Sequence, residues 1–476
     1  MSRRILIQPV TRIEGHAKIS IELDDAGEVQ SARFHVTEFR GFEKLCEGRP
    51  FQEMPGLMSR VCGICPVSHV LASSKAGDML LGVRIPPAAE KQRRLLNYAQ
   101  VLQSHALSFF HLSAPDLLLG LDSSPAERNI FGLAKFDDDF ARRGIRLRQF
   151  GQRVVELAGG KKVHPGWSGP GGVHRQFTIE QRDEILGWIP EAIASIALAL
   201  DRLKGLVESF DTEIQYLGNF PSLFLGTVSP EGGLEFYDGR IRIVDGGGNS
   251  IAEGLDPQRY FTYLSEASED DSFMKSPFYQ PFGFPQGHYR VGPLARLNVA
   301  KFAGTPLADR ELREFKQRSE GPVCASLHYH LARLIEMLFC VERIEELMAD
   351  AELFGENIQA KAQLNHREGI GSCEAPRGTL FHHYWVDDEG LMIRANLLIA
   401  TAENKQAMNF AVEQAARHFL KPAAGGGFAE GNLNRLEAAI RCFDPCLSCS
   451  THALGHMPLV VEWTGSDGIA HQIVRD

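Results

Sequence analysis

The spacing of apolar side chains predicts a small N-terminal sheet followed by a body of long helices. Apolar and polar positions alternate in residues 5–7, 17–23 and 29–38, as in half-buried strands, and residues 24–27 suit a hairpin turn. From residue 51 onward the apolar positions follow a helical period, with long helices predicted at residues 87–119, 178–217, 307–350 and 405–420. Long apolar helices of this kind pack together as a bundle.

Two segments interrupt the helical pattern. Residues 218–300 are richer in Gly, Pro and aromatic side chains, which predicts strands and loops inserted between bundle helices. Residues 380–400 predict two strands joined at residues 387–390, and a last helix is predicted at residues 432–441. We therefore expect an α+β fold, predominantly α: one large body with a central long-helix bundle and small peripheral β-sheets. Its expected segments are residues 1–50, 51–217, 218–300, 301–452 and 453–476.

Composition narrows the class of protein. Apolar residues make up 44% of the 476 residues and charged residues 23%, as in ordinary globular proteins. A net charge of −10 argues against nucleic acid as the main partner. No apolar run is long enough to predict a membrane span, and the N-terminal one is too short for a secretory leader. We expect a cytoplasmic protein, in which the nine cysteines bind metal or do chemistry rather than form disulfides.

The strongest chemical signal is a pair of CxxC motifs at opposite ends of the chain, Cys62 with Cys65 and Cys446 with Cys449. Two intervening residues let both sulfurs of a pair face one metal, and two pairs supply four soft donors. A redox dithiol, a structural zinc site and inert buried cysteines are the alternatives. Zinc ribbons place their pairs about 15–20 residues apart, whereas these pairs can meet only after the whole chain folds. A histidine also follows each pair.

These motifs resemble a known family. RxCGxCxxxH at residues 60–69 and DPCxxCxxH at residues 444–452 are similar to those of nickel–iron hydrogenase large subunits, and residues 9–16, 39–43, 289–298 and 374–378 agree as well. The resemblance spans nearly the whole chain and is closest to the cytoplasmic NAD-reducing, bidirectional branch. It implies the hydrogenase large-subunit fold and reversible heterolytic cleavage of H2 at a Ni–Fe centre whose iron carries carbon monoxide and cyanide.

The resemblance also implies roles for individual residues. Cys62 and Cys446 would bind nickel terminally, Cys65 and Cys449 would bridge nickel and iron, and Cys446 would accept a proton. Glu14 would be the first relay carboxylate. Arg377, which follows Pro376, would project over the metals with Asp444 as its partner. Thr401 would donate to cyanide, His69 would donate to a bridging sulfur, and Ser104 stands where many members carry aspartate. The resemblance also implies a Mg²⁺ site at Glu43, His452 and the carbonyl of Leu397, and a gas route beside Ile64 and Leu112.

Each of these positions has a simpler interpretation from sequence alone. Glu14 suits a surface glutamate, Arg377 a buried ion-pair residue, Asp444 a turn residue, His69 a core histidine and Thr401 an ordinary strand residue.

The family resemblance implies partners and leaves several function classes open. The implied partners are an iron–sulfur small subunit, diaphorase subunits that reduce NAD(P)⁺, and a maturation endopeptidase that removes residues 453–476. The alternative for this tail is that it is not removed and that residues 460–463 form a strand in a sheet. The alternatives inside the family are a methanogen-type enzyme with another electron acceptor and an H2-sensing regulatory hydrogenase. The alternative outside it is a structural tetrathiolate zinc protein without catalysis.

Overall fold

The computed structural model describes residues 3–270, 272–421 and 428–451, together with the backbone of two C-terminal strands. Its helices are α1 (Phe42–Leu45), α2 (Met54–Met58), α3 (Pro66–Leu81), α4 (Pro87–Ala106), α5 (Ala114–Leu119), α6 (Ile130–Phe136), α7 (Asp138–Gly159), α8 (Ile179–Val207), α9 (Asp211–Tyr216), α10 (Pro293–Val299), α11 (Pro306–Lys316), α12 (Tyr329–Met348), α13 (Ala400–Glu403), α14 (Lys405–Phe419), α15 (Glu430–Phe443) and α16 (Leu447–Ser450).

Its strands are short and lie in six small sheets. They are β1 (Arg3–Ile7), β2 (Ala17–Leu23), β3 (Val29–Val36), β4 (Ser168–Gly169), β5 (Gly172–Val173), β6 (Leu223–Val228), β7 (Arg240–Val244), β8 (Ser250–Leu255), β9 (Leu264–Ala267), β10 (Ser276–Tyr279), β11 (Tyr289–Arg290), β12 (Glu368–Ala375), β13 (Gly378–Val386), β14 (Met392–Leu398), β15 (Leu459–Thr464) and β16 (Ala470–Arg475).

Four long helices form the centre of the molecule. α4 packs on α7 and α12, and α8 packs on the same two helices. Their contact faces belong to one continuous core of buried aliphatic and aromatic side chains, whose removal from water is the main stabilising contribution to the fold. The expected central bundle is thus confirmed. No helix in the described ranges is both long and apolar enough to cross a bilayer.

Several predicted boundaries were wrong. The helix predicted at residues 307–350 is two helices, α11 and α12, because the intervening Gly321-Pro322 disfavours a continuous helix. The helix predicted at residues 178–217 ends at Val207 and resumes as α9 after one tight turn. The helix at residues 87–119 is continuous, although its middle, Leu107–Ser113, is π-helical. α7 and β12 were not predicted from the sequence.

The N-terminal sheet agrees with its prediction. β1, β2 and β3 form an antiparallel sheet in that order, with Ile19 and Ile21 fully buried on its inner face. The Asp24 carboxylate accepts hydrogen bonds from the backbone N–H groups of Ala26 and Glu28, which closes the predicted hairpin turn. The sheet packs on α14 through β3.

Residues 218–300 also form the expected strands and loops. β11, β6, β7 and β8 make a four-stranded sheet, β9 and β10 make a hairpin, and α10 follows them.

A third sheet, β12-β13-β14, lies against α3 and fixes the neighbourhood of the first cysteine pair. The approach of α3 to β12 is close at Gly371, where a Cβ atom would lie 2.0 Å from the backbone oxygen of Ala72. A larger residue at this position would push the helix away from the strand. The sheet continues into the turn of residues 376–377. Near the end of β12, Cys373 Sγ donates to the carbonyl of Ser68 in the first turn of α3 at 3.6 Å.

The C-terminal extension is described only as backbone. Residues 459–464 and 470–475 pair as an antiparallel hairpin, β15 with β16. Residues 452–458 and 465–469 lie outside the described part of the chain.

Candidate metal centre

The two cysteine pairs meet in one buried cluster. Cys62 Sγ lies 3.2 Å from Cys446 Sγ, Cys65 Sγ lies 3.4 Å from Cys449 Sγ, and the last two sulfurs, of Cys446 and Cys449, lie 3.0 Å apart. All four sulfurs lie within 4.8 Å of one another, and each residue is at most 5% exposed. The closest separations exceed a disulfide bond by about 1 Å, so the four sulfurs remain free donors.

The ends of two helices place these cysteines. Cys65 directly precedes α3, and Pro66 begins that helix, where the missing N–H of proline costs nothing. α15 ends at Phe443, the backbone of the next residue, Asp444, is left-handed with φ of 52°, and the following Pro445 cannot continue the helix. The chain then turns into Cys446 and the short α16, which carries Cys449.

The N-terminal loop after β1 closes over α16. The backbone N–H of Leu447 donates to the carbonyl of Glu14 at 3.2 Å, and Glu14 pairs with Cys446 in an isolated parallel bridge. This contact requires Gly15, because its φ is 86° and a Cβ there would lie 2.6 Å from Cβ of Leu447. The residue after the expected relay carboxylate is therefore constrained by its approach to the second cysteine pair.

The electrostatics of the cluster suit a cation. Hydrogen bonds from Cys446 and Cys449 lower the pKa of Cys65, whereas burial raises the pKa values of Cys446 and Cys449. Four thiolates in one buried cavity are strongly unfavourable unless a metal neutralises them. All four donors are soft sulfurs, so the cluster fits a thiolate-binding metal such as nickel, iron or zinc.

Comparison with known proteins selects among these metals. A protein-family model described as nickel-dependent hydrogenase matches residues 40–128 and 248–452. A second family model, described as HoxL-like, matches residues 4–39. The chain belongs to the nickel-dependent hydrogenase family. It is 42% identical to the NAD-reducing hydrogenase HoxS subunit beta of Cupriavidus necator, over 97% of each chain. It is also 41% identical to one chain of the F420-non-reducing hydrogenase vhu of Methanococcus voltae, over 88% of this chain and 99% of the relative.

Solved structures agree with this assignment. A crystal structure of an NAD⁺-reducing [NiFe]-hydrogenase in the H2-reduced state matches with a TM-score of 0.91 and 45% identity, over 94% of this chain and 99% of that one. The Ni-Fe-Se hydrogenase of Desulfovibrio vulgaris Hildenborough has the same fold, with a TM-score of 0.77 at 24% identity, over 95% and 100% of the two chains. The molecule is therefore a hydrogenase catalytic large subunit, and its expected fold is confirmed.

In this hydrogenase Arg377 reaches from the β12–β13 turn to the cluster. Its Nε donates to the backbone carbonyl of Asp444 at 2.5 Å, its Nη2 lies 3.2 Å from the Asp444 carboxylate, and its Nη1 donates to Ser104 Oγ at 3.5 Å. Burial opposes the charged form, but Asp444 and Cys446 raise the pKa of Arg377 above its usual range. The side chain is thus a fixed cation beside the sulfurs.

A buried ion network holds the two residues before Arg377, and the sequence analysis missed it. Arg296 Nη1 donates to Glu374 at 2.8 Å, and Arg296 Nη2 donates to Glu336 at 2.6 Å and to the carbonyl of Pro376 at 3.1 Å. All three charged side chains are fully buried. Arg296 and Glu374 lie in segments that resemble the family, but nothing in the sequence indicates that they form an ion pair with Glu336.

Two further expected residues contact the cysteines directly. Thr401 Oγ1 accepts a hydrogen bond from the backbone N–H of Cys446 at 2.9 Å. His69 Nε2 lies 3.3 Å from Cys449 Sγ. The sequence analysis singled out both residues, but not His382, whose Nε2 lies 3.1 Å from His69 Nδ1.

The carboxylate of Glu14 is half-buried at the edge of the cluster. It accepts a hydrogen bond from the backbone N–H of Ser448 at 3.0 Å and another from the Ser448 hydroxyl. Ser448 lies between the two cysteines of the second pair, so the carboxylate contacts the same short segment that carries both sulfurs. No pattern in the sequence pointed to Ser448 as its partner.

The expected magnesium ligands are only partly within the described residues. Glu43 Oε1 accepts a hydrogen bond from the backbone N–H of Leu397 at 2.7 Å, and Lys275 Nζ lies 3.9 Å from Glu43 Oε2. Burial raises the pKa of Glu43, while Lys275 lowers it. His452 lies outside the described part of the chain.

The two residues expected beside a gas route are both half-buried, and only Ile64 contacts a cysteine of the cluster among the described hydrogen bonds. Ile64 lies between Cys62 and Cys65, and its backbone N–H donates to Cys62 Sγ at 3.2 Å. Leu112 lies in the π-helical segment, where its carbonyl accepts a hydrogen bond from Arg12 at 2.8 Å.

Proposed function

We propose that this hydrogenase large subunit couples reversible H2 cleavage to the reduction of NAD(P)⁺. The carrying observation is the convergence of four cysteine sulfurs in a chain that is 42% identical, end to end, to a subunit of an NAD-reducing hydrogenase. Cys62 and Cys446 would bind nickel, and Cys65 and Cys449 would be shared with an iron that carries carbon monoxide and cyanide. When bound, such a centre polarises H2 for heterolytic cleavage.

The protein's own residues would then handle the released proton. Cys446 pairs with Glu14 in the isolated parallel bridge, and its basicity as a thiolate makes it the proposed first acceptor. Glu14 would take the proton onward, because its carboxylate already accepts two hydrogen bonds from Ser448, two residues after Cys446. A half-buried carboxylate in this position suits general acid–base work.

Arg377 and Thr401 would shape the surroundings of the metals. The Arg377 guanidinium is anchored by both the carboxylate and the backbone carbonyl of Asp444, so it presents a fixed charge and unused donors toward the cluster. Thr401 Oγ1 accepts a hydrogen bond from the backbone N–H of Cys446. The hydroxyl hydrogen of Thr401 can therefore be donated to a ligand such as cyanide.

A Mg²⁺ ion is proposed at Glu43, with the carbonyl of Leu397 and His452. The support is the half-buried Glu43 carboxylate beside residue 397, an oxygen donor of the kind that this cation prefers. A divalent cation with its waters would offset the cost of burying that charge. Metal analysis of a Glu43→Gln variant should show loss of magnesium with nickel retained, and unchanged magnesium would reject the site.

Electrons would leave through a partner subunit. The only described group of cysteines arranged for a metal is the four-sulfur cluster. The remaining five cysteines are Cys46, Cys324, Cys340, Cys373 and Cys442. Burial raises the pKa of Cys46, Cys373 and Cys442 to about 12, which suits packing rather than metal binding. We therefore propose an iron–sulfur small subunit, diaphorase subunits beyond it, and a cytoplasmic complex.

The C-terminal hairpin is proposed to be a maturation segment. Residues 453–476 begin four residues after Cys449, and an endopeptidase that cleaved after His452 would free that histidine as a terminal ligand. Mass spectrometry of the nickel-loaded enzyme should then find a chain ending at residue 452. A nickel-loaded, active chain that keeps residues 453–476 would reject this step.

The second candidate for the electron acceptor comes from the methanogen relatives. One chain of an F420-non-reducing hydrogenase is 41% identical, nearly as similar as the NAD-reducing relative. Assays of H2 oxidation with NAD⁺, NADP⁺ and artificial dyes separate the two, since dye reduction without nicotinamide reduction by the purified complex would reject the NAD-linked proposal.

Elemental and infrared analysis test the centre itself. The purified complex should contain nickel and iron and show infrared bands of metal-bound carbon monoxide and cyanide, whereas zinc alone would reject the enzyme. An H2 sensor would contain the same metals but turn over slowly.

Cys446→Ser should abolish H2 oxidation, since it removes both a nickel donor and the proposed proton acceptor. Cys442→Ser, four residues earlier and outside the cluster, is its control; full activity of Cys446→Ser would contradict the assignment.

A further inference from the structure

A continuous hydrogen-bond chain leads away from the cysteine cluster at Cys449. His69 Nε2 lies 3.3 Å from Cys449 Sγ, and His69 Nδ1 lies 3.1 Å from His382 Nε2. His382 Nδ1 lies 2.7 Å from the Tyr384 hydroxyl, which lies 2.8 Å from Ser73 Oγ. We call these four side chains, from His69 to Ser73, the histidine–tyrosine chain.

Two elements supply the four side chains in register. His69 and Ser73 are four residues apart on α3 and therefore lie on one face of the helix. His382 and Tyr384 are two residues apart on β13 and therefore share one face of the strand. α3 packs on β13 as well as on β12, so the two faces meet.

The histidine–tyrosine chain is sealed from water. His69 is 2% exposed, Ser73 1%, and His382 and Tyr384 are fully buried. Burial also raises the pKa of Tyr384 well above its usual value, so its hydroxyl keeps its proton. A path that exports protons would need a member in contact with solvent. A path that is buried throughout can only fix which group donates and which accepts in each hydrogen bond.

Only one set of hydrogen-bond directions along the histidine–tyrosine chain is compatible with a metal-bound Cys449. A metal-bound sulfur is a thiolate and only accepts, so His69 Nε2 must carry a hydrogen. A neutral His69 then has a bare Nδ1, which accepts from His382 Nε2–H. The bare Nδ1 of His382 in turn accepts from the Tyr384 hydroxyl, whose oxygen is free to accept from Ser73.

We propose that Tyr384 and Ser73 are positioning residues that force every donor in the histidine–tyrosine chain to point toward Cys449, and so fix the strength of the His69–Cys449 hydrogen bond. The inference rests on the proposed function, because it assigns Cys449 as a metal ligand. A hydrogen bond to a thiolate withdraws electron density from the sulfur and raises the reduction potential of the metals it binds.

The test compares three hydroxyl deletions in the assembled holoenzyme. Tyr384→Phe removes the donor to His382, and Ser73→Ala removes the last donor of the series. Tyr263→Phe is the matched control: this tyrosine is also buried, at 6% exposed, but its hydroxyl donates to the carbonyl of Asp256, outside the histidine–tyrosine chain. Each variant is assayed for nickel content, for the midpoint potential of the nickel signal by electron paramagnetic resonance, and for its infrared bands.

The expected result is a graded shift at unchanged nickel content. Tyr384→Phe should lower the midpoint potential and move the infrared bands of the iron-bound diatomic ligands to lower wavenumber, Ser73→Ala should do so less, and Tyr263→Phe should match wild type. Wild-type potentials and bands in Tyr384→Phe would overturn the proposal. If Tyr384→Phe does not accumulate, Ser73→Ala decides alone in the same way. Absence of nickel from the wild-type enzyme would instead refute the proposed function.

Discussion

Asp116 is the shared partner of three arginines, and its removal should destabilise the hydrogenase by a measurable amount. Arg12 Nη2 lies 2.5 Å from its carboxylate, Arg441 Nε lies 3.0 Å away and Arg128 Nε 3.4 Å away. The Asp116 side chain is 5% exposed. Burial alone would raise the pKa of Asp116, but Arg441 and Arg12 lower it below its usual value, so the carboxylate is ionised at neutral pH.

The magnitude follows from the charges left behind. Asp116→Ala leaves Arg12 and Arg441 without their nearest anion, and breaking a buried pair from one side costs about 3–5 kcal/mol. Arg128 keeps an ion pair with Glu430 at 2.5 Å, and Arg441 keeps one with Glu437 at 3.5 Å. Because these pairs remain, the loss of stability should lie toward the lower end of that range. With an unfolding entropy of about 2.1 cal/mol/K per residue, 476 residues convert this to a fall of about 3–5 °C in melting temperature.

Scanning calorimetry of the purified enzyme measures this fall, with Asp122→Ala as the matched control. Asp122 also binds an arginine, at 2.6 Å from Arg435 Nη1, but its side chain is 71% exposed. An exposed pair contributes at most about 1 kcal/mol, so the control should lose about 1 °C or less. Equal losses in the two variants would refute the argument from burial. Asp116→Asn, which keeps a hydrogen-bond acceptor for the arginines, should fall between them.

Three further outcomes follow from the site. Glu14→Gln should slow H2-dependent H/D exchange by about 10²–10⁴-fold while nickel content stays constant; exchange at the wild-type rate excludes Glu14 as the relay. Burial lowers the pKa of His105 to about 4 from 6.5, so the folded protein binds fewer protons between these values and loses stability as pH falls through that window. His105→Gln should therefore flatten the dependence of melting temperature on pH, and an unaltered slope would contradict the assignment. Trimming Ile64 and Leu112 to alanine should speed carbon monoxide binding; equal binding rates would remove them from the gas route.

The sequence predicted the parts of the fold that depend on local periodicity. Alternation over residues 17–23 and 29–38 was enough to predict β2 and β3, since most of the apolar side chains of each strand lie on one face. β12 was missed because it carries two glycines and both of its faces are buried, one of them against α3. Its sequence therefore shows no alternation of apolar and polar positions. α11 and α12 were merged because both show the helical period of apolar positions, α11 only on one buried face with Ala308, Leu312 and Phe315, and α12 over most of its length.

The candidate site was predictable where its residues carry rare chemistry. CxxC pairs are uncommon enough to identify the cluster, and their neighbours Arg377 and His69 came with the family resemblance. Arg296, Glu336 and Ser448 were not predictable, because each acts through a partner far away in sequence and an isolated charged or small polar residue has no distinctive pattern.

The contacts around the cluster explain why both ends of the chain are needed to build it. Thr11 binds Glu437 through its backbone N–H at 2.8 Å and its hydroxyl at 3.0 Å, and Arg441 donates to the carbonyl of Thr11 at 3.1 Å. These bonds tie the loop that carries Glu14 to α15, three residues before Asp444. Because the same loop then contacts Ser448, a shift of α15 would displace the proposed relay carboxylate and the second cysteine pair together. The proposed relay carboxylate and the second cysteine pair are thus held as one unit, so a change such as Asp116→Ala should affect proton exchange and nickel retention in parallel rather than separately.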